Sequence, residues 1–82
     1  MEQWFYVYIL ESISQPGNYY TGQTRSLKAR LQKHNDGGCP HTAALRPWRF
    51  KNFFAFNTKQ KAIAFEKYLK SGSGREFARR HF

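Results

Sequence analysis

The stretch from Gln3 to Leu10 is almost wholly aromatic or β-branched, which favours a strand over a helix. Side chains alternate across a strand, so Phe5, Val7 and Ile9 share one face and Trp4, Tyr6, Tyr8 and Leu10 share the other. A strand with a solvated face alternates apolar and polar residues, whereas both faces here are bulky. This segment must therefore be covered on both sides, or nearly so, and the rest of the chain has to supply the cover.

The following residues read as a short series of elements around that strand. Ser14 to Asn18 carries a turn signal, and Tyr19 to Gln23 reads as a second strand, giving an antiparallel hairpin. A turn centred near Ser14 would set Tyr8 roughly opposite Tyr20. Thr24 or Ser26 is placed to cap a helix running to about Asn35, where Asp36, Gly37 and Gly38 stop it. Leu27 and Leu31 share one face of that helix, and Arg30 and His34 share another. Residues 37–47 read as a loop. Trp48 to Phe56 reads as a third strand with Trp48, Phe50, Phe54 and Phe56 on one face and Asn52 as the outlier. Thr58 caps a helix from Lys59 to Ser71, with Ala62, Ile63, Phe65 and Leu69 as its apolar face. Ser71 to Gly74 breaks it, and Arg75 to Arg80 forms a final basic helical turn or two. The fold class is α+β: one small three-stranded antiparallel sheet flanked by helices, in the order β-β-α-β-α with a possible last α.

At 82 residues the chain allows a single domain, expected over residues 1–82, with a small core. Its longest apolar run, Trp4 to Leu10, is far short of the roughly 20 residues needed to cross a bilayer. No basic leader or cleavage-type site follows Met1, Glu2 and Gln3, and the lone Cys39 has no internal partner for a disulfide. A cytoplasmic location and no membrane partner are expected. Fourteen Lys and Arg against five Asp and Glu give a net charge of +9, which draws polyanions to the surface. The cations are spread from Arg25 to Arg80, as on the charged face of a folded body. Nucleic acid is the expected partner. Simple solubility is the plainer explanation, and an anionic membrane is disfavoured because no helix joins a basic face to a broad apolar one.

Glu66 is the most informative residue for chemistry. It lies on or beside the apolar stripe of its helix, where a carboxylate is costly unless it meets a cation or a donor. It is either a metal-binding carboxylate or a helix-surface glutamate paired with Lys70 at i+4. The other acids are Glu2, Glu11, Asp36 and Glu76, of which Glu2 and Glu76 look terminal and exposed. One metal ligand fits this scarcity better than a carboxylate-rich pair of sites. Arg30 and His34 on one helical face have the chemistry to grip a phosphate and move a proton, although such pairs are also common on plain surfaces. Tyr6, Tyr8, Tyr19 and Tyr20 are either core or stacking residues; a tyrosine with its ordinary pKa of about 10 is a poor base without help. Cys39, His41 and His34 lack the fourth ligand and paired spacing of a zinc site. No P-loop, dinucleotide-binding glycine motif or Ser-His-Asp arrangement is present.

Tyr6-Val7-Tyr8, then eleven residues, then Tyr20-Thr21-Gly22, with Arg30 eight beyond Gly22, His34 four later, and Glu66, resembles the GIY-YIG nuclease family. The likeness spans nearly the whole chain. It is greatest to the small stand-alone bacterial branch, the UPF0213-like proteins, through Ile9-Leu10, Gln23-Thr24, His34-Asn35, Thr42-Ala43, Arg46-Pro47-Trp48 and Glu66-Lys67. The resemblance implies metal-dependent hydrolysis of a DNA phosphodiester. Tyr8 and Tyr20 then occupy the two motif tyrosine positions, and one of them, Tyr8 by preference, helps remove the proton from the attacking water with His34 as a relay. Arg30 stabilises charge on the phosphoryl oxygens, and Glu66 holds one Mg²⁺ or Mn²⁺ that stabilises the departing 3′ oxygen. Gly22 lets the backbone turn closely beside the site. Tyr6 and Thr21 depart from the motif that names the family, but neither position supplies a catalytic group. Many relatives add a DNA-binding module, so weak sequence preference is expected here, with choice made by DNA shape, strandedness or a protein partner. Lys67, Lys70, Arg75, Arg79 and Arg80 are either phosphate contacts or solvated charge.

Three functions remain distinct at this level. A DNA endonuclease of repair or recombination requires metal-dependent cutting that depends on Glu66. A non-catalytic nucleic-acid-binding module requires salt-sensitive binding without cutting, and has no need of the full set Tyr8, Tyr20, Arg30, His34 and Glu66. An adaptor for a larger repair protein requires an exposed apolar patch.

Overall fold

Strand β1 (Phe5–Ser12) forms the middle of the sheet, with β2 (Tyr19–Thr24) and β3 (Trp48–Phe56) antiparallel on either side. This is a computed structural model, and it describes residues 3–82. Met1 and Glu2, including the expected exposure of Glu2, lie outside the described residues. The central position accounts for the two bulky faces of β1: Val7, Tyr8, Ile9 and Leu10 are all buried. One face packs Val7 and Ile9 against Ala62 and Leu69, with Phe54, Phe56 and Phe65 around them. The other packs Tyr8 and Leu10 against Trp48, with Leu27, Leu31, Leu45 and Phe50. Burying each such aliphatic side chain contributes roughly 1.5–3 kcal/mol, so the sheet is held from both sides by the helices that cover it.

Helix α1 (Leu27–Asn35) begins at Ser26, whose hydroxyl accepts from the Ala29 amide at 3.3 Å, and stops before Gly37 at φ +80°. Ser26 is thus the cap, while Thr24 Oγ1 accepts from the Ser26 amide. The segment expected to be a loop contains a short helix, α2 (Pro40–Ala43), started by a proline whose missing N–H is no loss in a first turn. Helix α3 (Lys59–Lys70) is capped by Thr58 as expected, and α4 (Gly72–His81) follows at once. Ser71 closes one helix and opens the next, its hydroxyl accepting from the Gly74 amide at 3.1 Å. The glycines read as a break therefore start α4. Gly74 is buried where a Cβ would overlap the Tyr68 carbonyl, so close helix packing requires the glycine.

Two sheet details differ from expectation. Tyr8 pairs with Gly22, and Tyr20 pairs with Leu10. The connection centres on Gln15, not Ser14, so the register moves by two residues and every side chain keeps its face. In β3 the register shifts between Ile9, which pairs with Asn52, and Leu10, which pairs with Phe50. Lys51 is the extra residue of a bulge, and it reverses the alternation. Trp48 and Phe50 consequently join the Tyr8 cluster, while Phe54 and Phe56 join the Val7 cluster on the opposite face. The four aromatics do not share one face.

Candidate active site

Tyr8 is 2% exposed and its ring lies across Gly22: a Cβ at that glycine would stand 2.5 Å from the phenol oxygen and 2.7 Å from the ring carbon bearing it. The absence of a side chain therefore makes room for Tyr8. The expected close approach at Gly22 is present, but a ring occupies the space, and the backbone makes no special turn there. Tyr8 Oη lies 3.0 Å from His34 Nε2, and His34 Nδ1 lies 2.7 Å from Thr42 Oγ1. Tyr20, half-buried on the same face, packs its ring 5.0 Å from the imidazole of His34 and 6.4 Å from the ring of Tyr8. The shared face expected for Arg30 and His34 on α1 is realised, with His34 buried and Arg30 half-buried.

Asn35 fixes the end of α1 to β3. Its side-chain amide donates to the Trp48 carbonyl at 3.1 Å and its carbonyl accepts from the Trp48 amide. Trp48 Nε1 in turn donates to the Thr42 carbonyl at 2.9 Å. His34 and Asn35 thus form one bonded unit with Thr42 and Trp48 behind Tyr8.

Electrostatics gives the inner groups definite protonation states. Burial pushes the Tyr8 phenol far above its ordinary pKa, Tyr20 adds to the shift, and Arg30 opposes it. Tyr8 is a neutral phenol. Burial lowers the pKa of His34, and the charges of Arg30 and Lys33 lower it further, so His34 is a neutral imidazole at pH 7.

Glu66 approaches from the other face of the sheet. Its Oε1 accepts from Gln23 Nε2 at 2.8 Å, its Oε2 lies 3.0 Å from Lys70 Nζ, and its side chain is 16% exposed. The expected pairing with Lys70 is present, and Gln23 also draws the carboxylate in against the sheet. Alternation sends Tyr20 and Gly22 to one face of β2 and Gln23 to the other, so the five site residues meet around an edge strand and do not line one face. Glu66 is still near enough to Tyr8 for its charge to help keep the phenol protonated. A groove of about 470 Å³ at this edge is lined by Gln23, Thr24 and Arg30, with Phe5, Arg25 and Lys59 around them. Among the described residues the Arg30 guanidinium has no hydrogen-bond or ion-pair partner and remains available to an anion.

No group of three or more His, Cys, Asp or Glu capable of holding a metal occurs among the described residues. His34 is committed to Tyr8 and Thr42, so it is not the zinc ligand that a Cys39, His41 and His34 set would need. A single carboxylate with open coordination suits Mg²⁺, which retains waters and takes further oxygens from a phosphate. Glu66 fits that role once Lys70 yields its place at Oε2. Of the expected phosphate contacts, Lys70 pairs with Glu66, while Arg79 and Arg80 both pair with an exposed Glu76. Lys67 and Arg75 are exposed without an ion pair among the described residues. Sequence reasoning missed Gln23 and Thr42 as site residues. The strand period that sets Gln23 on the α3 face was a usable signal for the first, and a threonine two residues after a helix-starting proline was a faint one for the second.

A buried tyrosine bonded to a neutral histidine, an arginine without a partner among the described residues and a single carboxylate thus stand around one sheet edge. The sequence profile of the GIY-YIG catalytic domain matches residues 4–80, and the chain belongs to that family. It is 38% identical over 72 residues to a UPF0213 protein of Halalkalibacterium halodurans, covering 87% of this chain and 74% of the relative. A UPF0213 protein of Streptococcus agalactiae is 41% identical over 66 residues, covering 79% of this chain and 73% of its own length. The chain is also 35% identical over 70 residues to the structure-specific endonuclease subunit SLX1 of Debaryomyces hansenii, covering 77% of this chain but 20% of that protein. No helix among the described residues is long and apolar enough to cross a membrane.

Proposed function

We propose that this chain is a metal-dependent DNA endonuclease with little sequence preference, selective for DNA structure or strandedness and acting in repair or recombination. The observation that carries the reading is the Tyr8–His34 hydrogen bond of 3.0 Å between a neutral phenol and a neutral imidazole. A phenol held this far above its ordinary pKa is no base by itself. It serves as one when it hands its own proton to His34 Nε2 as it takes a proton from water. The water oxygen then bonds to phosphorus as the bond to the 3′ oxygen breaks, leaving a 5′ phosphate and a 3′ oxygen that takes a proton from solvent water to become a hydroxyl, while His34 returns its extra proton to solvent. Arg30, unpaired beside the groove, receives the charge that grows on the non-bridging oxygens. Glu66 would hold the Mg²⁺ or Mn²⁺, which when bound stabilises the departing oxygen.

Duplex or branched DNA needs a wider cationic surface than the groove itself. A second depression of about 650 Å³ is lined by Tyr19, Lys51, Lys70, Arg75 and Arg79 over an apolar floor that includes Leu69 and Phe82. It shares Lys70 with Glu66, so phosphates bound there would run toward the carboxylate assigned to the metal. Lys67 and Arg80 extend the same basic helical pair.

The test is cleavage of end-labelled single-stranded, duplex and branched DNA in Mg²⁺, Mn²⁺ or EDTA, with Glu66→Ala checked for folding. Metal-dependent products absent from the variant are expected. Undiminished cutting by Glu66→Ala would remove that residue from the mechanism. Salt-sensitive binding without cutting would favour a binding module, unless cell extract restores cutting through a protein partner.

A further inference from the structure

Thr42 is a buried polar residue with a side chain aimed at the imidazole of His34, and nothing in the phosphoester chemistry itself requires it. We propose that Thr42 is a positioning residue that holds His34 as the neutral Nδ1–H tautomer, leaving Nε2 as the acceptor for the Tyr8 proton. The purpose of that proton rests on the nuclease reading; the tautomer does not.

Counting hydrogens decides between the possible arrangements. Thr42 has one hydroxyl hydrogen, and the Cys39 carbonyl lies 3.3 Å from its oxygen. If Thr42 donates there, its oxygen accepts from His34 Nδ1–H at 2.7 Å, and Nε2 accepts from the Tyr8 hydroxyl at 3.0 Å. Three donors then have three acceptors. In the opposite arrangement Thr42 donates to Nδ1 and Nε2–H donates to the Tyr8 oxygen. The Tyr8 hydroxyl hydrogen is then left without a protein acceptor on a residue 2% exposed, which is costly in a buried site. An imidazolium is opposed by burial and by the adjacent Arg30. The first arrangement leaves no donor unpaired.

Thr42 is itself held for this task. Its amide donates to the Cys39 carbonyl at 3.1 Å, and its own carbonyl accepts the indole N–H of Trp48 at 2.9 Å. The hydroxyl is therefore presented by a backbone fixed at both ends, through a residue of β3 that also binds Asn35, the neighbour of His34. A hydroxyl in this place determines which nitrogen is free, much as a hydrogen-bonded carboxylate or carbonyl does for other working histidines.

Long-range ¹⁵N–¹H spectra of the metal-free protein at neutral pH read the tautomer directly. The wild type is expected to show a protonated Nδ1 and an unprotonated Nε2 at His34. Thr42→Val, nearly the same shape without the oxygen, is expected to move the ring toward Nε2–H or an exchanging mixture, and Thr42→Ser to keep the wild-type pattern. In cleavage, Thr42→Val lowers kcat by at least about tenfold and by no more than the roughly 100- to 10,000-fold that a positioned acid–base group contributes, with KM unchanged. Thr42→Ser restores it. A wild-type Nε2–H tautomer, or a Thr42→Val ring that keeps the wild-type tautomer, overturns the proposal. The wild-type spectrum decides even where the valine variant fails to fold. The Nδ1–H tautomer without cutting in any metal, with or without cell extract, supports the role of Thr42 in positioning the ring while sinking the nuclease reading; cutting with the Nε2–H tautomer does the reverse.

Discussion

Replacing Gly22 with alanine tests the packing on which the site is built. The new methyl would meet the Tyr8 oxygen at 2.5 Å, its ring carbon at 2.7 Å and a Tyr20 ring carbon at 3.1 Å. Neither ring is a free end that yields cheaply, since Tyr8 is packed among Leu10, Trp48 and Phe50. Overpacking of this kind costs about 1–3 kcal/mol, and loss of the Tyr8–His34 bond adds roughly 0.5–1.5 kcal/mol. For a domain of this size each kcal/mol lowers Tm by roughly 4–8 °C, so a fall on the order of 10–20 °C is expected. Thermal unfolding followed by circular dichroism measures it, and a double-mutant cycle with Tyr8→Phe, its energies taken from urea unfolding, assigns the cause. Tyr8→Phe alone leaves His34 Nε2 buried without a donor, at about 1–3 kcal/mol. In the Gly22→Ala background that bond is already broken and the closest clash is removed, so the second substitution costs little. The expected coupling is about 1–2 kcal/mol, well beyond the roughly 0.3–0.5 kcal/mol scatter of independent sites. Energies that add within that scatter would refute the placement of Tyr8 over Gly22.

Two further outcomes follow from individual groups. His34 has a folded pKa below its unfolded value near 6.5, so the unfolded chain binds the extra proton first as pH falls. Stability is therefore fully present above about pH 6.5 and declines below it until the folded ring also protonates; His34→Gln should flatten that segment of a stability-versus-pH curve, and an unchanged slope would argue against a buried neutral ring. Asn52 Oδ1 is buried without a hydrogen-bond partner among the described residues, which costs about 1–3 kcal/mol of desolvation, so Asn52→Val in β3 should raise the urea midpoint; a lower midpoint would mean that the amide has a use in the fold.

Legibility of this chain ends where local pattern gives way to pairing. The two-faced β1, a first cap at Thr24 or Ser26, the cap at Thr58, and the span Trp48–Phe56 were legible because alternation and capping are local. The hairpin register was not, since Ser14 and Gln15 are equally plausible turn centres by composition and differ by two residues of pairing. The Lys51 bulge left no periodic trace either, because aromatics occupy both sides of it: the run Trp48, Phe50, Phe54, Phe56 looks like one stripe and is two. Gly72 and Gly74 read as a break because their usual trait is freedom, whereas at Gly74 the deciding quantity is the space beside the Tyr68 carbonyl.

The same distinction separates the residue types at the site from their working arrangement. Glu66 and the Arg30–His34 pair could be singled out from the residues, and Tyr8 and Tyr20 through the family resemblance, yet only the three-dimensional pairing shows that the tyrosines, Arg30 and His34 stand on one side of an edge strand and the carboxylate on the other. That division has a chemical consequence. Tyr8 and His34 are held from behind by Thr42 and Trp48, while Arg30 borders a groove and Glu66 is tied to the long side chains of Gln23 and Lys70. On the nuclease reading, a phosphate in the groove would meet a cation that has no ion pair among the described residues, and a divalent ion at Glu66 would displace an exposed lysine whose pairing is worth little in water. The interior keeps its hydrogen bonds fixed; the surface exchanges its own for those of the ligand. On the nuclease reading, that arrangement would hold the proton relay ready before substrate arrives and leave recognition to groups that are free to change partners.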